Sequence, residues 1–150
     1  MTVTASAPSG SSRSSGSSKT SNSAALAVLI GGAAGAVCRV LGNSAAMGIF
    51  GGTFPLGILL INVAGGFLMG LLQGVIARSG RPHALLYSLF GTGFLGGFTT
   101  FSSFALDTFR LYAGGAVLPA ALNIMLNTCL AVAAAGLGYG LCARHGTPHA

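Results

Sequence analysis

Long apolar blocks alternate with short polar or glycine-bearing joints along this chain, and the pattern predicts four helices. They fall at Ala24–Leu41, Phe54–Ala77, His83–Leu111 and Ala116–Ala143. Each is long enough to cross a hydrocarbon core of about 30 Å, which takes about 20 apolar residues in a helix. Four helices of this size make one bundle rather than two domains. The expected organisation is a tail over residues 1–23, a four-helix membrane domain over 24–143 and a short tail over 144–150. The first tail is rich in Ser, Gly and Thr, with Arg13 and Lys19 as its charges. Such a segment buries too little apolar surface to offset its ordering entropy, so it is read as disordered. A signal peptide would begin similarly. No small-residue cleavage site follows a short apolar run, however, and GGAAGAVCR continues as helix, so cleavage is not expected.

Composition strengthens the membrane reading. Of the 150 residues 52% are apolar and 5% charged, against about a quarter charged in soluble domains. The net charge of +6 comes from scattered basic residues, not from a basic face, so no nucleic-acid partner is expected. Arg13, Lys19, Arg78, Arg81 and Arg144 fall on one side of the bundle. Arg39, read as the last turn of the first helix, and Arg110 fall on the other. That bias favours cytoplasmic termini. Without the two charges of the distant tail it shrinks to three against two, weak enough for insertion in both directions. Cys38, Cys129 and Cys142 lie in or at the ends of apolar helices and read as small hydrophobes, without a disulfide or metal pattern.

Two kinds of residue interrupt the apolar blocks. Glycines recur at spacing four: Gly31 and Gly35, Gly66 and Gly70, Gly93 and Gly97, Gly136 and Gly140. In lipid, such pairs let helix backbones approach closely, and packing within the bundle or between subunits accounts for them. Buried polar residues are rarer and costlier. Asn62 lies near the centre of the second helix, where an amide must be paired and is a functional candidate by default. Asn123 and Asn127 share a face of the fourth helix one turn apart, which suits a polar path or interhelical hydrogen bonds. Arg39 is either an interfacial anchor or part of a vestibule.

The densest cluster is GTGFLGGFTTFSSFALD, Gly91–Asp107. Gly96 and Gly97 followed by Thr99 and Thr100 disfavour a continuous helix, and a break at mid-membrane frees backbone groups that must find partners, water or an ion. Carbonyls near Gly96 and Thr99 are therefore expected either to bind a cation or to be capped by neighbouring hydroxyls. Beyond the break, Phe101 and Phe104 share a helix face, with Ser102 and Ser103 between them. Aromatic rings carry a positive edge. Rings edge-on beside hydroxyl and amide donors offer a small anion weak sites without a fixed cation, as fast conduction requires. Asp107 is expected to cap the helix or form a salt bridge near the membrane surface.

These motifs resemble those of the small bacterial fluoride channels called Fluc or CrcB. GFLGGFTTFSSFALD is similar to that family's third-helix signature, GGAAGAVCRV to its first-helix arginine motif and PLGILLINVAGGFLMG to its second-helix asparagine motif. The resemblance spans about residues 24–143. It implies an all-α membrane protein of four transmembrane helices, the third broken mid-membrane, assembled as an antiparallel dual-topology homodimer with two pores. A paralogous chain of opposite topology is the alternative partner. It also implies passive fluoride export across the bacterial inner membrane, relieving fluoride toxicity. Asn62, Phe101, Phe104, Ser102 and Ser103 would line the pore, and Arg39 would match the first-helix arginine. Gly96 and Thr99 would hold a structural sodium ion through their carbonyls. The chain departs from the pattern at Ser103, where threonine is common, and at Ile58, where threonine is usual. Asp107 replaces glutamate, and Asn123 and Asn127 replace a tyrosine and a serine, so the polar rail of the fourth helix would be built of amides.

Two other functions fit four short helices: an exporter of cationic drugs and a non-transporting scaffold. The exporter would need an intramembrane carboxylate, which the first two helices lack; the scaffold leaves the break, hydroxyls and amides unexplained. An enzyme is not expected, because His83, His145 and His149 all fall in loops or tails and no acid/base pair is formed.

Overall fold

The computed structural model describes residues 15–79 and 84–143, so residues 1–14 of the expected tail, His83 and residues 144–150 lie outside it. The described chain is helical and carries four stretches long and apolar enough to cross a membrane. We number its helices α1 (Ser15–Phe50), α2 (Leu56–Ser79), α3 (residues 84–98), α4 (Phe101–Ala113) and α5 (Val117–Ala143). The third span is thus made of α3 and α4.

Helix α1 overruns the sequence expectation at both ends, starting at Ser15 rather than Ala24 and ending at Phe50 rather than Leu41. Its stop comes at Gly51, whose φ of +74° lets its N–H bond back to the Met47 carbonyl at 3.0 Å. Arg39 is therefore not in the last turn of the helix but about three turns inside it, half-buried among its neighbours. The joint between α4 and α5 closes in a similar way. Gly115 adopts φ +81°, its N–H reaches the Tyr112 carbonyl at 3.0 Å, and that of Ala116 reaches Leu111 at 2.9 Å.

Two seams hold the bundle. In the first, α1 lies against α3 with backbone touching backbone. A Cβ at Gly31 would strike the Leu89 carbonyl and the Phe94 amide, one at Gly35 the Phe94 carbonyl and Phe98 amide, and one at Gly97 the Gly32 carbonyl. Most of α3 is wound in wide i→i+5 turns, from Tyr87 to Leu95, a form the residue pattern does not predict. In the second seam α2 lies along α5, with Gly66, Gly70 and Gly74 against the backbones of Ala131, Ala135 and Tyr139. The α5 pair at spacing four lies outside this seam. Gly136 and Gly140 have nothing within 4 Å of a would-be Cβ, whereas Gly138 meets Phe67 and Leu71. Spacing alone does not tell which face of α5 turns toward α2.

Large apolar side chains on the outside, such as Leu29, Ile49 and Leu118, are 69–75% exposed. A hydrocarbon solvent suits that surface. The fully enclosed interior is small, and its most buried large side chain is polar: Asn123, at 1% exposure.

Candidate functional site

Between α3 and α4 the helical ladder is interrupted at two residues. Thr99 (φ −78°, ψ 158°) and Thr100 (φ −154°, ψ 121°) are extended. Thr100 then caps α4, its hydroxyl oxygen accepting from the Ser103 N–H at 3.2 Å. Threonine suits both tasks, since its branched Cβ favours extended backbone and its oxygen reaches the orphan amide of the next turn.

Helix α2 holds this interruption through Asn62. The Asn62 Oδ1 accepts from the Thr100 N–H at 2.9 Å, and the Asn62 Nδ2 donates to the Thr100 carbonyl at 3.2 Å. A single amide therefore satisfies both backbone groups of an unwound residue, as a neighbouring strand would. The same Nδ2 donates to Asn127 Oδ1 at 2.9 Å. Asn127 Nδ2 donates to Asn123 Oδ1 at 2.9 Å and to the Asn123 carbonyl at 3.1 Å. Asn123 Nδ2 donates to Thr108 Oγ1 at 2.9 Å, and Thr108 donates to the Phe104 carbonyl at 2.8 Å. Apart from the Asn62 bond back to the Thr100 carbonyl, donors point one way, from Thr100 through α2 and α5 and back to α4. The two ends fix the amide orientations, because a backbone N–H can only donate and a carbonyl can only accept.

A gallery of about 480 Å³ opens beside this relay, lined by Asn62, Thr99, Thr100, Phe101, Phe104 and Asn127 among others. Phe101 and Phe104 meet edge to face, with ring centroids 5.5 Å apart and planes at 62°. Phe101 is 79% exposed, on the open side of the gallery. Among the described residues no basic side chain lines it. Asn123 stands behind Asn127, enclosed, and reaches the gallery only through it. Ser102 and Ser103 sit in a hydroxyl cluster with Thr100, at 3.1 and 3.3 Å, and Arg39 Nη1 donates to Ser103 Oγ at 3.5 Å. The Arg39 Nε is buried without an acceptor among the described residues.

Gly96 and Thr99 border the interruption. The Thr100 N–H, which would continue the ladder to the Gly96 carbonyl, is on Asn62 instead. The Ser103 N–H, which would reach the Thr99 carbonyl, is on Thr100 Oγ1. Asp107 lies apart from the gallery, 3.7 Å from Arg110, one helical turn along α4. With Arg110 and Asn43 it lines a separate cavity of about 410 Å³ at the joint between α1 and α2. Ile58, where the resemblance leads one to expect a hydroxyl, is 6% exposed and serves as packing. The sequence reading missed Thr108, which ends the relay. Its signal is a hydroxyl one turn beyond Phe104, on the second half of the third span.

Fold and site together define a multi-pass membrane protein with a polar gallery among its helices. Residues 26–139 match the family described as CrcB-like protein, Camphor Resistance (CrcB), and the chain belongs to that family. A relative from Cereibacter sphaeroides, named fluoride-specific ion channel FluC, is 44% identical over 124 residues, covering 83% of this chain and 96% of the relative. One from Vibrio parahaemolyticus with the same name is 39% identical over 117 residues, covering 78% and 92%.

Proposed function

We propose that this protein is a passive, fluoride-selective ion channel that lets cytoplasmic fluoride leave a bacterial cell across its inner membrane. The observation that carries the reading is the chemistry of the gallery: aromatic edges, amides and hydroxyls with no fixed cation among the described lining residues, in a chain whose family relatives are named fluoride channels. A small anion shedding water needs compensation at each step. A lysine or arginine would hold it too long, whereas aromatic edges and neutral donors stabilise it weakly at several points. Asn62, Phe101, Phe104 and Asn127 are the wall of that path, Ser102 and Ser103 continue its polar lining, and Asn123 supports Asn127 from behind. Arg39 and the Asp107–Arg110 pair sit toward its approaches.

On this reading the interruption at Thr99–Thr100 is a break of the third transmembrane helix near the middle of the bilayer. The gallery opens sideways, past an exposed Phe101, so a second copy is needed to close it. We infer an antiparallel, dual-topology homodimer with two pores; a paralogous chain of opposite topology would meet the same requirement. The carbonyls of Gly96 and Thr99, relieved of their ladder partners, form an oxygen donor set of the kind that unwound transmembrane helices offer to sodium. Two carbonyls cannot replace a water shell, but the same two from a second copy double the set. Bound there, a sodium ion would supply positive charge that fixes the two broken helices to each other.

The test is fluoride release from liposomes holding the purified protein, followed with a fluoride electrode and compared with chloride. Rapid fluoride loss with chloride retained is expected. Folded, dimeric protein that releases no fluoride overturns the channel reading.

A further inference from the structure

The gallery has many polar side chains, and almost all of their hydrogens are already used. Both Nδ2 hydrogens of Asn62 have acceptors, in the Thr100 carbonyl and Asn127 Oδ1. Those of Asn127 are on the carbonyl and Oδ1 of Asn123. The Thr100 hydroxyl belongs to the cluster with Ser102 and Ser103. Thr99 donates to the Leu95 carbonyl at 2.8 Å.

Thr128 differs. It follows Asn127 on α5 and lines the gallery together with Phe101 and Phe104. It also lines the adjoining groove of about 650 Å³ that those two rings share. A threonine inside a helix ordinarily turns its hydroxyl back to the carbonyl four residues earlier. Thr99 and Thr108 both do so, whereas Thr128 is without a hydrogen-bond partner among the described residues.

We propose that the Thr128 hydroxyl is the side-chain hydrogen-bond donor the gallery offers to the passing anion, with the asparagines acting as the frame that holds the gallery open. This rests on the channel reading and assigns its ligand. Redirecting Asn62 toward an anion would break bonds that pin the Thr100 backbone, and redirecting Asn127 would break its bonds to Asn123, whereas Thr128 needs only rotation about χ1. One neutral hydroxyl beside two aromatic edges also keeps the site weak. Fluoride, a small and strong acceptor, gains more from such a donor than chloride does.

The experiment compares Thr128→Val, which keeps the branched shape and removes the donor, with Thr128→Ser, which keeps the donor. Fluoride efflux from liposomes is measured across fluoride concentrations, and assembly is followed by size exclusion. Thr128→Val is expected to assemble as the parent does and to lower efflux at low fluoride about tenfold, the lower end of what a hydrogen bond to a charged group is worth. Thr128→Ser is expected to stay within about twofold of the parent, because the donor remains. Thr128→Ala repeats the test with a smaller side chain should the valine disturb packing. Parent-like efflux in assembled Thr128→Val or Thr128→Ala overturns this assignment and leaves the channel reading standing. Absence of efflux from the parent protein overturns both.

Discussion

The seam between α1 and α3 and the gallery beside α4 use opposite means to hold helices together. Along the first, glycines bring backbone against backbone, and the main contacts of Gly31, Gly35 and Gly97 are carbonyls and amides of the facing helix. Along the second, Asn62, Asn127, Asn123 and Thr108 connect three helices through directed hydrogen bonds. A dry glycine seam tolerates no added atom but offers no chemistry. A polar relay leaves space for a gallery but fails if a member is removed. The interruption at Thr99–Thr100 lets one membrane span serve both, α3 on the rigid side and α4 on the polar side.

The glycine seam should be the more fragile to volume. Gly31→Leu or Gly97→Leu sets a side chain into facing backbone, which cannot move aside as a flexible side chain would. We expect destabilisation above about 3 kcal/mol, at or beyond the upper end of overpacking effects, and little monodisperse protein on size exclusion. Recovery of well-assembled protein with either substitution would mean that the two backbones are not in contact.

The relay should be more sensitive to the loss of partners. Asn62→Leu keeps a side chain of similar length but strands the Thr100 N–H and carbonyl and one acceptor of Asn127. Unsatisfied buried groups cost about 1–3 kcal/mol each, and hydrogen bonds between membrane helices average nearer about 0.6 kcal/mol. A net loss of about 2 kcal/mol is expected, read as a lower unfolding midpoint in a denaturing-detergent titration, together with loss of fluoride efflux. The aromatic wall separates the two effects. Phe104→Ile is expected to reduce efflux sharply with assembly intact; parent-like efflux would make the ring mere packing.

What could be read in the sequence divides along the same line. The four spans, the glycine spacing in α1, α2 and α3 and the chemistry around Thr99 were legible, because hydrophobic length and residue type report directly on burial and backbone freedom. Spacing does not sort the glycines of α5, since Gly136, Gly138 and Gly140 all lie on one helix and only its rotation against α2 selects Gly138 for the contact within the chain. Arg39 reads as a helix end because the residues after it are less apolar, yet Asn43 and Ser44 are helical in α1. The amides were legible as buried and polar. Which hydrogen goes to which oxygen was not, because that depends on three helices meeting at Thr100.

The smallest expected effect is also the one that asks what lies beyond this chain. Gly136 and Gly140 face open space, and glycine inside a helix costs up to about 1 kcal/mol relative to alanine. In an isolated bundle, Gly136→Ala and Gly140→Ala should therefore be neutral or slightly stabilising in the detergent titration. Their spacing of four is the kind that allows close approach of a second helix. If a second copy packs there, an added methyl would instead weaken assembly without changing the fold of either chain. Unchanged stability with a normal dimer fraction means that lipid covers this face of α5. A dimer fraction that falls with alanine while each chain stays helical means that this face is where the two copies meet, and that the glycines are kept for a contact outside the single bundle.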